Sequence, residues 1–508
     1  MSSSFYLPQN RNVVYSKLNN MRSYTNRTDS SRSVLFQNHF DNFVNETNYT
    51  SKGFQKDLFG AYLFDDKNSY LFYYKDSILQ IEANPIFSYK FVTQTGDSIR
   101  RNTSLTSFGG HLSIFYSDWL TLYLSAWNGI QSGDRKLATV DERIRHNFTH
   151  QIGGLENFDG TEGYVSIEKE FFSFKFGRER LMWGNSNLNR IGFDSTSQIF
   201  DFVTFSLNYG SFDYRFLHGW LVEIPDSSLN EETGVKSTFK NPKFIAYSRL
   251  RFAPNEDISI GASQTMIYSN RPFEAAYLNP FILWESAQRS LNDLDNSYWT
   301  FDMNWRITNG LVWNGTIMFD DINFNYLLKG DWSTSSNSAV YQTGLRLAYP
   351  FMIKNSLLDI EYTIVRPYAF SHYGLERPLS YTNNGYQLGL GIPPNSTVVS
   401  LSFDYDVTFR INVNVRADYI KHGNNIYDED GKLVLNVGGD VFKSKTIITP
   451  YYSFLLDGVL EKQLRVINTL TYLFSNHITF QLVYNHNSVS FEGKNSATNT
   501  LMLGLNFY

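Results

Sequence analysis

Cysteine is absent from this 508-residue chain, which excludes disulfide staples and thiolate-held metals. Also missing is any run of roughly 18 to 20 consecutive apolar residues, the length a spanning helix needs, so helical membrane spans are excluded too. The longest uncharged stretches are interrupted by Asn, Ser or Gly. Charge of one sign is scarce: 44 Lys and Arg face 49 Asp and Glu, and the formal net charge of -5 argues against nucleic acid as a partner. Neither HExxH nor GxSxG occurs and the nine His residues are scattered, so no hydrolase constellation can be assembled. The expectation is a non-enzymatic protein without cofactor or metal. The first ten residues, Met1 to Asn10, lack both a basic n-region and an apolar h-region, and the numbering is read as that of a mature or trimmed exported chain.

Aromatic residues, by contrast, are abundant: 42 Phe, 34 Tyr and 9 Trp make up 17% of a chain that is only 42% hydrophobic. A membrane barrel needs both features, aromatic girdles at its two interfaces and polar residues at alternate positions. Beside the helix, the closed barrel is the architecture that satisfies every backbone polar group in lipid. The fold class predicted is therefore all-β: a transmembrane antiparallel β-barrel, apolar outside and polar in its lumen, set in the lipid bilayer of the outer membrane.

Period-2 alternation supports this reading. Trp299, Phe301, Met303 and Trp305 share one face, while Tyr298, Thr300, Asp302, Asn304 and Arg306 share the other. The next segment sets Leu311, Trp313, Gly315, Ile317 and Phe319 against Asn314, Thr316 and Asp320, and Thr308-Asn309-Gly310 joins the two as a hairpin turn. Val399, Leu401, Phe403 and Tyr405 oppose Ser400, Ser402, Asp404 and Asp406. Phe409 to Tyr419 alternates with Arg410, Asn412, Asn414, Arg416 and Asp418, so neighbouring strands are expected to zip the lumen with ion pairs. Comparable segments recur near 58–76, 84–93, 107–127, 163–177, 199–222, 243–268, 339–349, 357–366, 448–473 and 477–508. Together they suggest roughly 16 to 22 strands, about 18 being the expectation.

Long loops are expected at 97–105, 130–162, 179–197, 223–242, 269–295, 372–385 and 423–431, where Gly, Asn, Asp and Ser concentrate. Function in such barrels usually resides in loops of the outer face. Residues 1–50 form a lead-in segment, with Val13, Val14, Leu18 and Met21 at near-helical spacing, placed on the periplasmic side; residues 51–508 form the barrel. The chain ends on Leu501, Leu503, Leu505 and Phe507 in one phase, with Tyr508 out of phase.

The most distinctive local sequence is Phe174-Lys175-Phe176-Gly177-Arg178-Glu179-Arg180-Leu181-Met182-Trp183-Gly184-Asn185. Gly177 permits a bend there, and guanidinium forks beside an aromatic platform suit an acidic sugar. The competing reading is a strand end whose arginines pair with lumenal carboxylates while Trp183 sits in the girdle. A second cluster has Tyr247, Arg249 and Arg251 facing inward. Asp320-Asp321 is read as charge compensation rather than a metal site.

In order and spacing, the run Phe176 to Gly184, Arg249 and Arg251, Tyr277-Leu278-Asn279-Pro280, Asp295-Asn296, Phe319-Asp320-Asp321, Glu361-Tyr362 and Arg366-Pro367-Tyr368 resembles the Wzi-type capsule-assembly family over roughly residues 160 to 395. The resemblance implies an outer-membrane barrel of about eighteen strands that acts as a surface lectin, anchoring capsular or related exopolysaccharide without catalysis. This chain departs from the family at Asn185-Ser186-Asn187, where relatives are glycine-rich, and at Ser248, where a His is common. On this reading Arg178, Arg180, Trp183, Arg249 and Arg251, inward or loop-borne, support the ligand site. The second reading is an outer-membrane channel or an accessory subunit of a larger envelope assembly. A plugged lumen favours the first and an open pore the second.

Overall fold

The computed structural model describes Gly53–Phe54 and residues 70–507, except for 97–98, 146–149, 153–154, 224–225, 230–235, 240, 294, 322–327, 330–336, 373–378, 444, 446–448, 451 and 476. The lead-in over 1–50, the out-of-phase Tyr508 and most of the strand expected at 58–76 lie outside the described residues.

Eighteen strands close into one antiparallel barrel. In chain order they are β1 Leu79–Gly96, β2 Ile99–Tyr116, β3 Leu120–Gly133, β4 Leu155–Lys169, β5 Phe172–Glu179, β6 Phe200–Tyr209, β7 Phe212–Val222, β8 Pro242–Phe252, β9 Ile258–Ser269, β10 Asn296–Thr308, β11 Leu311–Asp321, β12 Ser338–Ala348, β13 Ser356–Val365, β14 Ser396–Asp406, β15 Ile411–Asn424, β16 Val459–Leu473, β17 Ile478–Phe491 and β18 Lys494–Phe507. Each pairs with its sequence neighbour, and β18 returns to β1 with Leu505 opposite Tyr89, so no edge is left open. One end of the barrel carries only short turns, such as 117–119, 170–171, 210–211 and 309–310, while the other carries the long connections 134–154, 180–199, 223–241, 270–295, 322–337, 366–395 and 425–458. The first end is the turn side of the barrel and the second its loop side. Short helices interrupt two of the loops: α1 Arg135–Ala138, α2 Glu142–Arg145, α3 Ala275–Leu278 and α4 Trp284–Leu291.

Three boundaries differ from expectation. Residues 99–105 belong to β2 rather than to a loop, because β1 and β2 extend together as an 18-residue hairpin pair. Likewise 155–162 is the start of β4, and β16 begins only at Val459, so the described residues among 448–458 precede it rather than belong to it.

Alternation sets the two faces. Leu124, Leu250, Phe301, Leu401 and Leu503 are exposed on the outside, while Ser125, Asp302, Ser400 and Met502 are buried on the inside. Aromatic pairs gather outside at turn-side strand ends: Phe212 and Phe252 lie 4.8 Å apart, and Tyr472, Phe474 and Phe480 cluster. This is the girdle of aromatic rings expected where hydrocarbon gives way to headgroups.

The lumen is not uniformly polar, which corrects the sequence expectation. Phe202, Leu217, Ile245, Ile267, Tyr298, Met318, Val340, Val365, Val398 and Ile420, one inward side chain from each of ten consecutive strands β6 to β15, join a single buried cluster near the loop side. Register confirms their common level, with Ile245 opposite Ile267, Met318 opposite Val340, Val340 opposite Val365 and Val398 opposite Ile420. Smaller clusters continue the belt through Val92, Leu105, Phe158, Val483 and Met502. Below it, toward the turn side, the wall is polar and ion-paired as expected: Arg346 holds Asp359 through two bonds of 2.8 and 2.9 Å, and Asp418 lies between Arg416 and Arg465.

Candidate functional site

What fills the apolar belt is chain from the loop side. Beyond β5, residues Trp183 and Phe193 pair as an isolated antiparallel bridge, each N–H donating to the other's carbonyl at 2.9–3.0 Å. The bridge closes 184–192 into a lobe that enters the lumen. At its tip Ser186 Oγ accepts from the N–H groups of Leu188 and Asn189, a local turn that a serine in this position favours, and donates to Glu361. Asn189 donates to Glu361 at 2.6 Å and to Ser400 at 3.0 Å, while its side-chain oxygen accepts from Arg416 at 2.7 Å. Gln342 donates to the Asn189 carbonyl at 2.7 Å, and Asn304 donates to Asn185 at 2.6 Å. Those contacts reach β10, β12, β13, β14 and β15, so the tip bridges a wide arc of the wall.

A second inward segment, 366–395, interlocks with the lobe. The Tyr381 hydroxyl donates to the Gly192 carbonyl at 2.9 Å, Leu390 N–H to Arg190 at 2.6 Å and Asp194 N–H to Leu388 at 2.8 Å. Gly389 is required by this closeness, since a Cβ there would stand 2.0 Å from the Ile191 carbonyl oxygen. Asp320, one of the adjacent acidic pair, accepts from the Phe370 N–H at 2.7 Å and thus anchors the same segment. Phe370, Tyr381, Leu388, Leu390 and Ile392 complete the apolar cluster with Trp183, Ile191 and Phe193.

A third inward segment carries α1 and α2. Asp141 is buried between Lys90 at 2.5 Å and Arg143, whose guanidinium also donates to Ser107 at 2.8 Å. Burial alone would raise the Asp141 carboxyl, but the Arg143 guanidinium and then the Lys90 ammonium outweigh it and hold the group well below the usual carboxylate range. With a depressed folded-state value, its stabilisation is complete above the unfolded value of about 4 and is lost as pH falls below that. Acidifying from about pH 6 to about pH 3 should therefore lower the melting temperature of the native chain more than that of Asp141→Asn. Equal slopes in the two proteins would contradict the assignment.

The five residues singled out in the sequence do not converge on one pocket. Arg178 turns outward: the alternation of Phe172, Phe174 and Phe176 continues through it, and it pairs at 3.1 Å with the exposed Asp201 on the outer face. Gly177 makes no bend; it is a strand residue whose missing Cβ accommodates Tyr164. Arg180 pairs with Glu142, tying the lobe's root to α2. Trp183 belongs neither to the girdle nor to an open platform. It is 7% exposed, lies 5.5 Å from both Phe193 and Tyr247 between ring centroids, and has the Arg215 guanidinium 5.1 Å above its ring. Arg249 grips Asp302 through two bonds of 2.5 and 3.1 Å. Arg251, in register with Asp213, faces the lumen near the turn side.

Sequence reasoning missed the hub of Ser186, Asn189, Gln342 and Glu361. The alternation held no signal that sets them apart, because Gln342 and Glu361 stand among other polar lumen-facing residues of the same strands, Arg346, Asp359 and Thr363.

No family model matches the chain, and no curated protein matches it. Among solved structures it is similar to Wzi, an outer-membrane protein involved in group 1 capsule assembly in Escherichia coli and described as a carbohydrate-binding β-barrel: 12% identity over 83% of this chain and 84% of that one, TM-score 0.49. OprD of Pseudomonas aeruginosa matches at 10% identity over 84% of this chain and 94% of its own, TM-score 0.44. OpdO of the same organism matches at 9% over 84% and 96%, TM-score 0.45. Likenesses of this size leave the choice between kinds of barrel to the chain's own interior.

Proposed function

We propose that this chain is a non-conducting outer-membrane barrel that holds surface polysaccharide at its loop side, without catalysis. The observation that carries the reading is the apolar septum. Fully burying a large apolar side chain contributes about 1.5–3 kcal/mol. Ten such side chains from the wall alone outweigh the roughly 5–15 kcal/mol by which a whole domain is usually stable. Opening the lumen to water would expose them, so a standing aqueous channel is disfavoured and ligand contact falls to the outer loops.

Those loops offer suitable surfaces. The 425–458 connection presents Tyr427, Tyr452 and Phe454, 44–58% exposed, and rings of this kind can lie against the apolar faces of sugars. Arg178 is the member of the original five with a solvent-reaching guanidinium, suited to a sugar carboxylate. Arg180, Trp183, Arg249 and Arg251 support the site by fixing the lobe and the wall behind it.

The test is binding of the host's surface polysaccharide to purified barrel. At about 0.5–1.5 kcal/mol per ring, truncating Tyr427, Tyr452 and Phe454 together to Ala should weaken affinity by roughly one to three decades. Arg178→Ala should reduce retention of acidic polysaccharide on cells while leaving the barrel in the membrane. Unchanged affinity and retention in both variants would remove the 425–458 connection and Arg178 from the ligand site.

A further inference from the structure

The loop 270–295 folds over the outside of the barrel as an outer cover, Tyr277 and Trp284 packing onto Phe216, Phe244, Ala246, Met266 and Tyr268 of β7, β8 and β9. On β14 to β17 the outward side chains stand open instead, with Val399, Tyr419, Leu464, Leu482 and Tyr484 37–47% exposed. This open sector shows where the apolar band ends. Ile411 and Tyr472 are register partners at the turn-side girdle. From them the outward residues of β15 climb through Val413, Val415, Ala417 and Tyr419 to Lys421, and those of β16 through Leu470, Asn468, Val466 and Leu464 to Lys462. Ten residues at about 3.3 Å each, tilted by about 40°, rise about 25 Å, the height of a barrel's apolar band. Both lysines therefore stand at its loop-side border, where hydrocarbon gives way to the headgroups of the outer leaflet.

They also stand against each other. Lys421 and Lys462 are direct register partners, as are Thr397 and Lys421 on one side and Lys462 and Ser490 on the other. Paired Cβ atoms lie about 4.5–5.5 Å apart, and like charges so placed repel. Neither ammonium has an ion-pair partner among the described residues, whereas the outward Arg178 pairs with Asp201. The row thus presents two ammonium groups flanked by two hydroxyls, and Ile364 and Asn495 continue it without charge.

We propose that this row binds a phosphate group of an outer-leaflet lipid headgroup. A phosphate seated between the lysines converts their repulsion into two charge-assisted contacts, and the Thr397 and Ser490 hydroxyls donate to its remaining oxygens. Height selects a lipid over a soluble anion, because a headgroup is held at that level by its own acyl chains. Neither lysine belongs to the polysaccharide contact proposed above, so the two readings stand or fall separately.

The test is native mass spectrometry of the detergent-solubilised barrel titrated with monophosphorylated lipid A. Lys421→Gln combined with Lys462→Gln should lower the affinity on the order of tenfold, and arginine at both positions should retain it. Removing the same charge from the loops, as Lys432→Gln with Lys494→Gln, should leave the affinity unchanged. Fully dephosphorylated lipid A should bind the native barrel no better than the phosphorylated form binds the double glutamine variant, and an excess of inorganic phosphate should not displace the lipid. Heat-modifiable mobility reports that each variant barrel is folded. Equal affinity of the native and double glutamine barrels, equal affinity for the two lipids, displacement by inorganic phosphate, or loss of polysaccharide binding in place of lipid binding would overturn the proposal.

Discussion

Replacing residues 184–192 with an Asn-Gly turn should convert a silent barrel into an ion-conducting one. The replacement is geometrically mild, since Trp183 and Phe193 already face each other as bridge partners and a two-residue hairpin turn can join them. It removes the tip that spans the lumen from Asn304 to Arg416, leaving Glu361, Gln342, Ser400 and Arg416 to be hydrated. It also removes Ile191 from the apolar cluster and takes the Gly192 and Arg190 carbonyls from Tyr381 and Leu390, so the 366–395 segment loses its support. Discrete current steps in a planar bilayer, absent from the parent, are the expected result. Continued silence would mean that the second segment closes the lumen by itself.

Asp418→Ala should be the most destabilising single substitution in the polar half of the lumen. Asp418 is 1% exposed and accepts from Arg465 at 2.6 and 3.0 Å, from Arg416 at 3.1 Å and from Ser400 at 2.6 Å. Removing the carboxylate leaves two guanidinium groups facing each other with no counter-charge, a situation that costs roughly 3–5 kcal/mol. Urea unfolding of the barrel in lipid vesicles should show the midpoint shift at unchanged slope. A loss below about 1 kcal/mol would indicate that water already screens the triad.

Much of the wall was legible from alternation. The outward sets of β10, β14 and β15 appear as read, because a lipid-facing side chain and a water- or ion-paired one differ strongly in type; the lumenal ion pairs differ in partner, since Asp404 accepts from Asn412 and Asn414 while Asp418 pairs with Arg416 on its own strand and with Arg465 on β16. The septum was not legible, for near the loop side both faces of a strand are apolar. Phe244-Ile245-Ala246-Tyr247 and Met266-Ile267-Tyr268 look like lapses in the pattern, whereas the even members meet the outer cover and the odd ones meet the plug. Runs of this kind at the same end of several strands are the signal that a barrel is filled. Trp183 and Arg178 were misplaced for a related reason. Their environments are set by where β5 stops and by partners far away in sequence, Tyr247, Phe193 and Asp201, which no local period reveals. The loop 270–295 was read correctly as a loop, but the side of the wall it covers depends on contacts with β7 to β10.

The central claim is that the lumen is closed by its own chain. Single-channel recording of the unmodified barrel in a planar bilayer tests it most directly: the septum predicts a flat trace, with or without surface polysaccharide, and steady ionic current through the unmodified barrel would contradict it.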